Sequence, residues 1–248
     1  RTPDSKPDTK DFYADNNAYM DKLVGQLVSA LDKLGLREKT LLVFVGDNGT
    51  AHQGIPAATV DGRPLAGFKA SMLEGGSRVP LIVNWPGTTP AGKVNHDLTD
   101  FTDFMPTFAE FARAKLPEGV KIDGRSFAPQ IKGEAGTPRE WVYVQLGDKR
   151  YVRNDRWKLT GEGALFDLKE APFKEIAVTT DTSDADAKAA RQKLQGVLDD
   201  LKAQDTDNTA VVKKRDKAKK KEDRKKKRME KGAETPPKPA PDAAPKQP

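Results

Sequence analysis

The chain has no cysteine among its 248 residues, so it can form no disulfide, no thiolate metal site and no thiol nucleophile of its own. It has 2 histidines and no HExxH metal motif. It also lacks a P-loop, a dinucleotide fingerprint and a Ser-His-Asp arrangement with supporting context. No apolar run approaches the roughly 20 residues needed to span a bilayer. The opening Arg1-Thr2-Pro3-Asp4-Ser5-Lys6-Pro7 carries neither an initiator Met nor a signal-peptide hydrophobic stretch, which reads as a fragment or a processed chain.

What is present is polar and unevenly spread. Hydrophobic residues make up 36% and charged residues 32%, a mean too polar for one compact globule of this length. From Leu201 onward 16 Lys/Arg stand against 8 Asp/Glu, whereas residues 1 to 200 hold 27 against 29. The net charge of +6 therefore belongs to the tail, and the body has no field that would draw nucleic acid. Residues 205 to 248, Lys/Arg-rich and then Pro/Ala-rich, lack the hydrophobes that offset ordering entropy and are predicted to be disordered.

Along residues 1 to 204 the pattern is more regular. Tyr19, Met20, Leu23, Val24, Leu27, Val28, Leu31 and Leu34 form the stripe of an amphipathic helix, with Asn16 or Asn17 able to cap its start and Gly35 ending it. Thr40 to Val45 is a continuous apolar run without alternation and predicts a strand buried on both faces. Helix followed by such a strand is the repeat of a parallel α/β sheet, in which ligands sit beyond the carboxyl ends of strands. A Gly-rich loop from Gly46 to about Gly76 leads to a second strand, Val79 to Val83, and Asp103 to Ala114 reads as a helix. Past Pro138 four short runs, Trp141 to Leu146, Arg150 to Arg153, Arg156 to Thr160 and Ala164 to Leu168, are split by turn residues and predict an antiparallel meander. A helix from about Ser183 to Leu201 follows. The expected organisation is residues 1–137, a small α+β piece at 138–204, and the tail at 205–248.

Candidate chemistry clusters after the buried strand. In Gly46-Asp47-Asn48-Gly49 the flanking glycines let a carboxylate and an amide oxygen converge, and adjacent hard oxygens suit Ca²⁺ or Mg²⁺; a tight turn satisfying its own backbone is the alternative. Lys69, behind Gly67 on the returning loop, is placed to act as a point charge for an oxyanion, or is simply solvated. His52 has the same two readings. Glu74 and Arg78 face each other across Gly75-Gly76 and read as a structural ion pair, while Asp97, Asp100 and Asp103 read as caps of the following helix.

Taken in order, these pieces resemble the carboxyl-terminal half of the sulfatase family, relatives of alkaline phosphatase. Tyr19 to Gly25, Leu31 to Leu36 and Thr40 to Gly49 are similar to its "LDxxVG…LdxlGlxdnTlvvftSDNG" stretch. Gly67-Phe68-Lys69, Glu74 to Val83, Trp85-Pro86-Gly87, Asp103 to Thr107 and Asp123 to Ser126 resemble its "GxK…EGGxRVPlIvxwPG…DxxPT…DGxSl" series, and Arg156 to Leu159 with Leu165 to Leu168 its late "yKL…LyDL" pair. Gly46 stands where the family more often has Ser. The resemblance implies an α/β fold, part of an alkaline-phosphatase-like parallel sheet sandwiched by helices, followed by a small antiparallel α+β subdomain.

It further implies hydrolysis of sulfate esters, with Asp47 and Asn48 as ligands of a divalent cation, usually Ca²⁺ with Mg²⁺ as the alternative. Lys69 would be on a sulfate oxygen, and His52 is a weaker candidate for the same anion. The nucleophile would be a formylglycine made in a C/S-x-P-x-R motif that this chain lacks, so the chain alone is expected to be inactive. A sulfated small molecule or polysaccharide is the implied substrate, and a periplasmic or secreted location the implied compartment. A phosphomonoester or phosphodiester hydrolase of the same superfamily, and a non-enzymatic polyanion binder using the basic tail, are the competing readings.

Overall fold

The computed structural model describes residues 2–8, 12–52, 54 and 59–202. The basic and Pro-rich tail expected to be disordered lies outside the described residues. Residues 1–198 form one compact unit; of the second unit, 199–248, only 199–202 are described.

Helix α1 spans Phe12–Lys33, a turn earlier than Asn16 or Asn17 would start it. Asn16 instead lies inside the helix, its amide donating 2.7 Å to the Phe12 carbonyl. The first turn is held from upstream, because the Asp15 carboxylate accepts hydrogen bonds from the Thr2 and Ser5 hydroxyls, and the Ser5 bond pulls its pKa below the ordinary value. Gly35, at φ 65°, ends the helix in the conformation that residues with a Cβ avoid.

Strand β1, Leu42–Val45, pairs with β4, Leu81–Asn84. The register Leu42↔Asn84 to Val45↔Leu81 is antiparallel, which corrects the expectation of parallel neighbours for this pair. The physical reason lies in the connection. Among the described residues the two strands are joined by no long crossover helix but by a loop that turns back, with a hairpin of β2 (Thr59–Val60) and β3 (Arg63–Pro64) and the single helical turn α2 (Glu74–Ser77). The hairpin turns on Asp61 and Gly62, both at positive φ, the two-residue connection that Asp-Gly favours. The β1 residues are half-buried rather than sealed on both faces, since α1 has no buried residue among those described.

The second part is an antiparallel sheet in simple order, β5 (Val142–Leu146), β6 (Lys149–Arg153), β7 (Trp157–Thr160), β8 (Leu165–Asp167) and β9 (Ile176–Val178). The meander expected from sequence is present, with β9 as a fifth strand. Its Val152, Trp157, Leu159 and Leu165 pack on Ala187, Ala190, Leu194 and Leu198 of a helix over 185–202, here α5. Asp184 caps α5 by accepting from the Asp186 and Ala187 amides. Each fully buried leucine in this layer contributes about 1.5–3 kcal/mol.

Between the two parts lie α3 (Phe104–Phe111) and α4 (Ala128–Ile131). Asp100 and Asp103 form a reciprocal capping box ahead of α3, as their spacing suggests. Asp103 does more than cap. Its buried carboxylate accepts the Arg125 amide at 2.7 Å and a two-pronged contact from Arg139, at 2.7 Å from both Nε and Nη2.

Candidate functional site

The loop after β1 and the segment 66–80 are bound to each other through backbone atoms. Gly46 donates to the Pro80 carbonyl at 3.1 Å, Gly49 to Gly76 at 3.1 Å, and Lys69 to Thr50 at 2.8 Å. Glycine is required here because the chains nearly touch: a Cβ on Gly49 would lie 1.7 Å from the Gly75 carbonyl oxygen, and one on Gly76 2.0 Å from that of Ser71. Gly67 and Ala70 bracket Lys69 at φ 86° and 69°. For Ala70 that conformation costs roughly 1–2 kcal/mol, so the surrounding bonds must hold it.

This scaffold brings Asp47, Asn48 and Lys69 to the wall of one open cleft of about 1100 Å³, together with Arg78, Lys93 and His96. Asp47 and Lys69 are exposed and Asn48 is half-buried, so the carboxylate, the amide and the ammonium are all accessible. His52 is placed differently. It is exposed and packs edge-on against Phe68, ring centroids 5.3 Å apart, and does not line that cleft.

Asp47 and Asn48 supply hard oxygens of the kind Ca²⁺ and Mg²⁺ take, and the donor chemistry fits a divalent cation. Two donors are too few to enclose one, and among the described residues no group of three His, Cys, Asp or Glu is placed to hold a metal ion.

The Glu74–Arg78 ion pair exists at 3.4 Å, with Arg78 largely exposed, but a closer partner was not visible in the sequence. Arg153 of β6 reaches the buried Glu74 carboxylate at 2.7 Å. Beside it, the Tyr151 and Ser77 hydroxyls are 2.6 Å apart. Burial raises the Tyr151 pKa to about 12, so the phenol stays protonated. Lys158 of β7 is buried with the Glu175 carboxylate at 2.7 and 2.8 Å, bonds the Met72 carbonyl, and lies 4.3 Å from the Tyr151 ring centroid. These partners are 17 to 86 residues apart in sequence, and no periodicity announces such contacts.

Two family profiles match this chain: "Sulfatase" over residues 2–114, and "N-sulphoglucosamine sulphohydrolase, C-terminal" over residues 68–204. The chain belongs to the sulfatase family. Human arylsulfatase D is 30% identical over 165 residues, covering 62% of this chain and 27% of the relative. Mouse steryl-sulfatase is 38% identical over 150 residues, covering 58% and 24%. Human arylsulfatase A is 35% identical over 131 residues, covering 53% and 25%. This chain thus spans about a quarter of the length of these relatives.

Among solved structures, BT4656 in complex with its substrate D-glucosamine-2-N,6-O-disulfate superposes with a TM-score of 0.59 at 23% identity, covering 76% of this chain and 39% of the other. Ps i-CgsB superposes with a TM-score of 0.58 at 29% identity, covering 72% and 40%. This chain therefore has the carboxyl-terminal part of the alkaline-phosphatase-like sulfatase fold.

Proposed function

We propose that this chain supplies the cation- and sulfate-binding wall of a sulfate-ester hydrolase. The observation that carries the reading is the common cleft: Asp47, Asn48 and Lys69 line it from two loops fixed to each other by the Gly49–Gly76 and Lys69–Thr50 backbone bonds. Asp47 and Asn48 would hold the divalent cation, Ca²⁺ with Mg²⁺ as the alternative. When bound, that ion would polarise sulfate oxygens and offset charge. Lys69 holds a sulfate oxygen and sets the group in line, and its ammonium opposes the negative charge that grows as the ester bond breaks. The formylglycine nucleophile and the remaining ligands are contributed from outside residues 1–248.

The substrate is a sulfated small molecule or a sulfated sugar polymer. Dog N-acetylgalactosamine-6-sulfatase, 34% identical to this chain, supports this class by name. A periplasmic or secreted location goes with this reading. Among the described residues no helix is long and apolar enough to cross a membrane.

Two substitutions in the full-length enzyme test the assignment. Lys69→Ala should lower kcat/KM for an aryl sulfate by about 10² or more, the usual effect of deleting one preplaced electrostatic donor. Wild-type turnover would show Lys69 to be a bystander. Asp47→Ala should weaken calcium binding in titration calorimetry, and an unchanged affinity would remove Asp47 from the cation site.

A further inference from the structure

The antiparallel sheet has two unlike faces. On β6, Val152 points into the layer shared with α5, and its neighbours Tyr151 and Arg153 point the other way; on β7, Trp157 and Leu159 point inward and Lys158 outward. The outward residues are not solvated. Tyr151 is 1% exposed and Lys158 2%, and both end on the segment that carries Lys69.

Four contacts reach that segment on both sides of Lys69: the Ala66 amide to the Pro172 carbonyl at 3.0 Å, Lys158 to the Met72 carbonyl, Arg153 to Glu74 at 2.7 Å, and Tyr151 to Ser77 at 2.6 Å. Burying an ammonium, a guanidinium and a phenol is expensive unless each is partnered, and apolar side chains would join two layers at less cost. Partnered polar groups give something apolar packing does not, a single register between the sheet and the loop.

We propose that Arg153, Tyr151 and Lys158 are positioning residues for Lys69, with the polar face of the sheet fixing the loop so that the Lys69 ammonium meets the sulfate oxygen. The inference rests on the sulfate-binding reading of Lys69. Tyr151 and Arg153 border the same cleft as Lys69, and their polar ends are bound to Ser77 and Glu74. The three act through Glu74, Ser77 and Met72, at the end of a loop whose Gly67 and Ala70 already occupy the left-handed region.

A double-substitution cycle on the full-length enzyme, read with a chromogenic aryl sulfate, separates positioning from general stability. Arg153→Gln should lower kcat/KM by about 10- to 100-fold, the scale expected when a catalytic group is misplaced by about an ångström. Arg153→Lys should recover part of that loss. In a Lys69→Ala background, Arg153→Gln should change kcat/KM by less than about 2-fold, because the group it positions is gone.

Tyr151→Phe, which removes only the hydroxyl, runs the same cycle if Arg153→Gln does not fold. It too should be costly alone and nearly silent beside Lys69→Ala. Losses that multiply in the double variants, or single variants with wild-type kinetics, would overturn the positioning role while leaving Lys69 in place. Wild-type turnover by Lys69→Ala itself would overturn both.

Discussion

Purified residues 1–248, assayed with a chromogenic aryl sulfate and calcium, should show no turnover above the uncatalysed rate. On the proposed mechanism the reaction needs a covalent nucleophile made from Cys or Ser in C/S-x-P-x-R, and the chain has no Cys. The nearest serine context, Ser5-Lys6-Pro7-Asp8-Thr9, ends in Thr where the motif has Arg, and the Ser5 hydroxyl is bound to Asp15. Cation affinity should be low as well, since calcium takes about 6–8 oxygens and the proposed ligands Asp47 and Asn48 would supply only two residues of that set. Leu23 and Leu27 of α1, 45% and 50% exposed, would favour self-association of the isolated chain. Joining the chain to a segment bearing the motif should restore activity. Robust turnover by residues 1–248 alone would overturn both the division of the site and the mechanism.

The largest stability effect is expected at Arg139. Its side chain is 8% exposed, and Asp103, its partner, 2%. Burial works against the guanidinium charge, but the bonds to Asp103 prevail and raise the Arg139 pKa. The same guanidinium donates to Thr102 Oγ1 at 3.0 Å and to the Trp141 and Asp123 carbonyls at 3.2 Å, tying the start of the meander to the capped turn ahead of α3.

Arg139→Met would keep much of the volume and leave the Asp103 carboxylate buried without its counter-charge. The expected loss is about 3–5 kcal/mol, which corresponds to a fall in Tm on the order of 10 °C for a unit of this size. Arg139→Lys should recover only part of it, because a point charge cannot reproduce a planar fork. Urea denaturation of the two variants decides the matter, and a loss below about 1 kcal/mol for Arg139→Met would mean that Asp103 is satisfied without it.

Local features were the legible ones. The helix stripe from Tyr19 and the α5 stripe declared themselves by period, the strand within Thr40 to Val45 by its unbroken apolar run and the meander by its turn residues, and each is present. The hairpin at Asp61-Gly62 carried a signal too, an Asp-Gly pair between Val60 and Arg63. The antiparallel pairing of β1 with β4 had no such mark, because apolar runs show burial and not direction.

For the site, Asp47, Asn48 and Lys69 stood out by residue type beside glycines. Arg139, Arg153 and Lys158 did not, since a lone cation looks the same in sequence whether it meets water or a buried carboxylate 17, 36 or 79 residues away.

The glycine contacts decide when the loop loses its freedom. Because Gly49 and Gly75 leave no room for a side chain between them, residues 46–50 and 66–76 are fixed against each other when the chain folds, and on the proposed role of Lys69 an arriving anion would meet a surface already in its final shape. Fixing a residue costs about 1–2 kcal/mol of conformational entropy, and none of that cost then falls on the binding step for these residues. On the proposed role of Lys69, affinity there would be set by charge and fit, and association should proceed without a slow rearrangement.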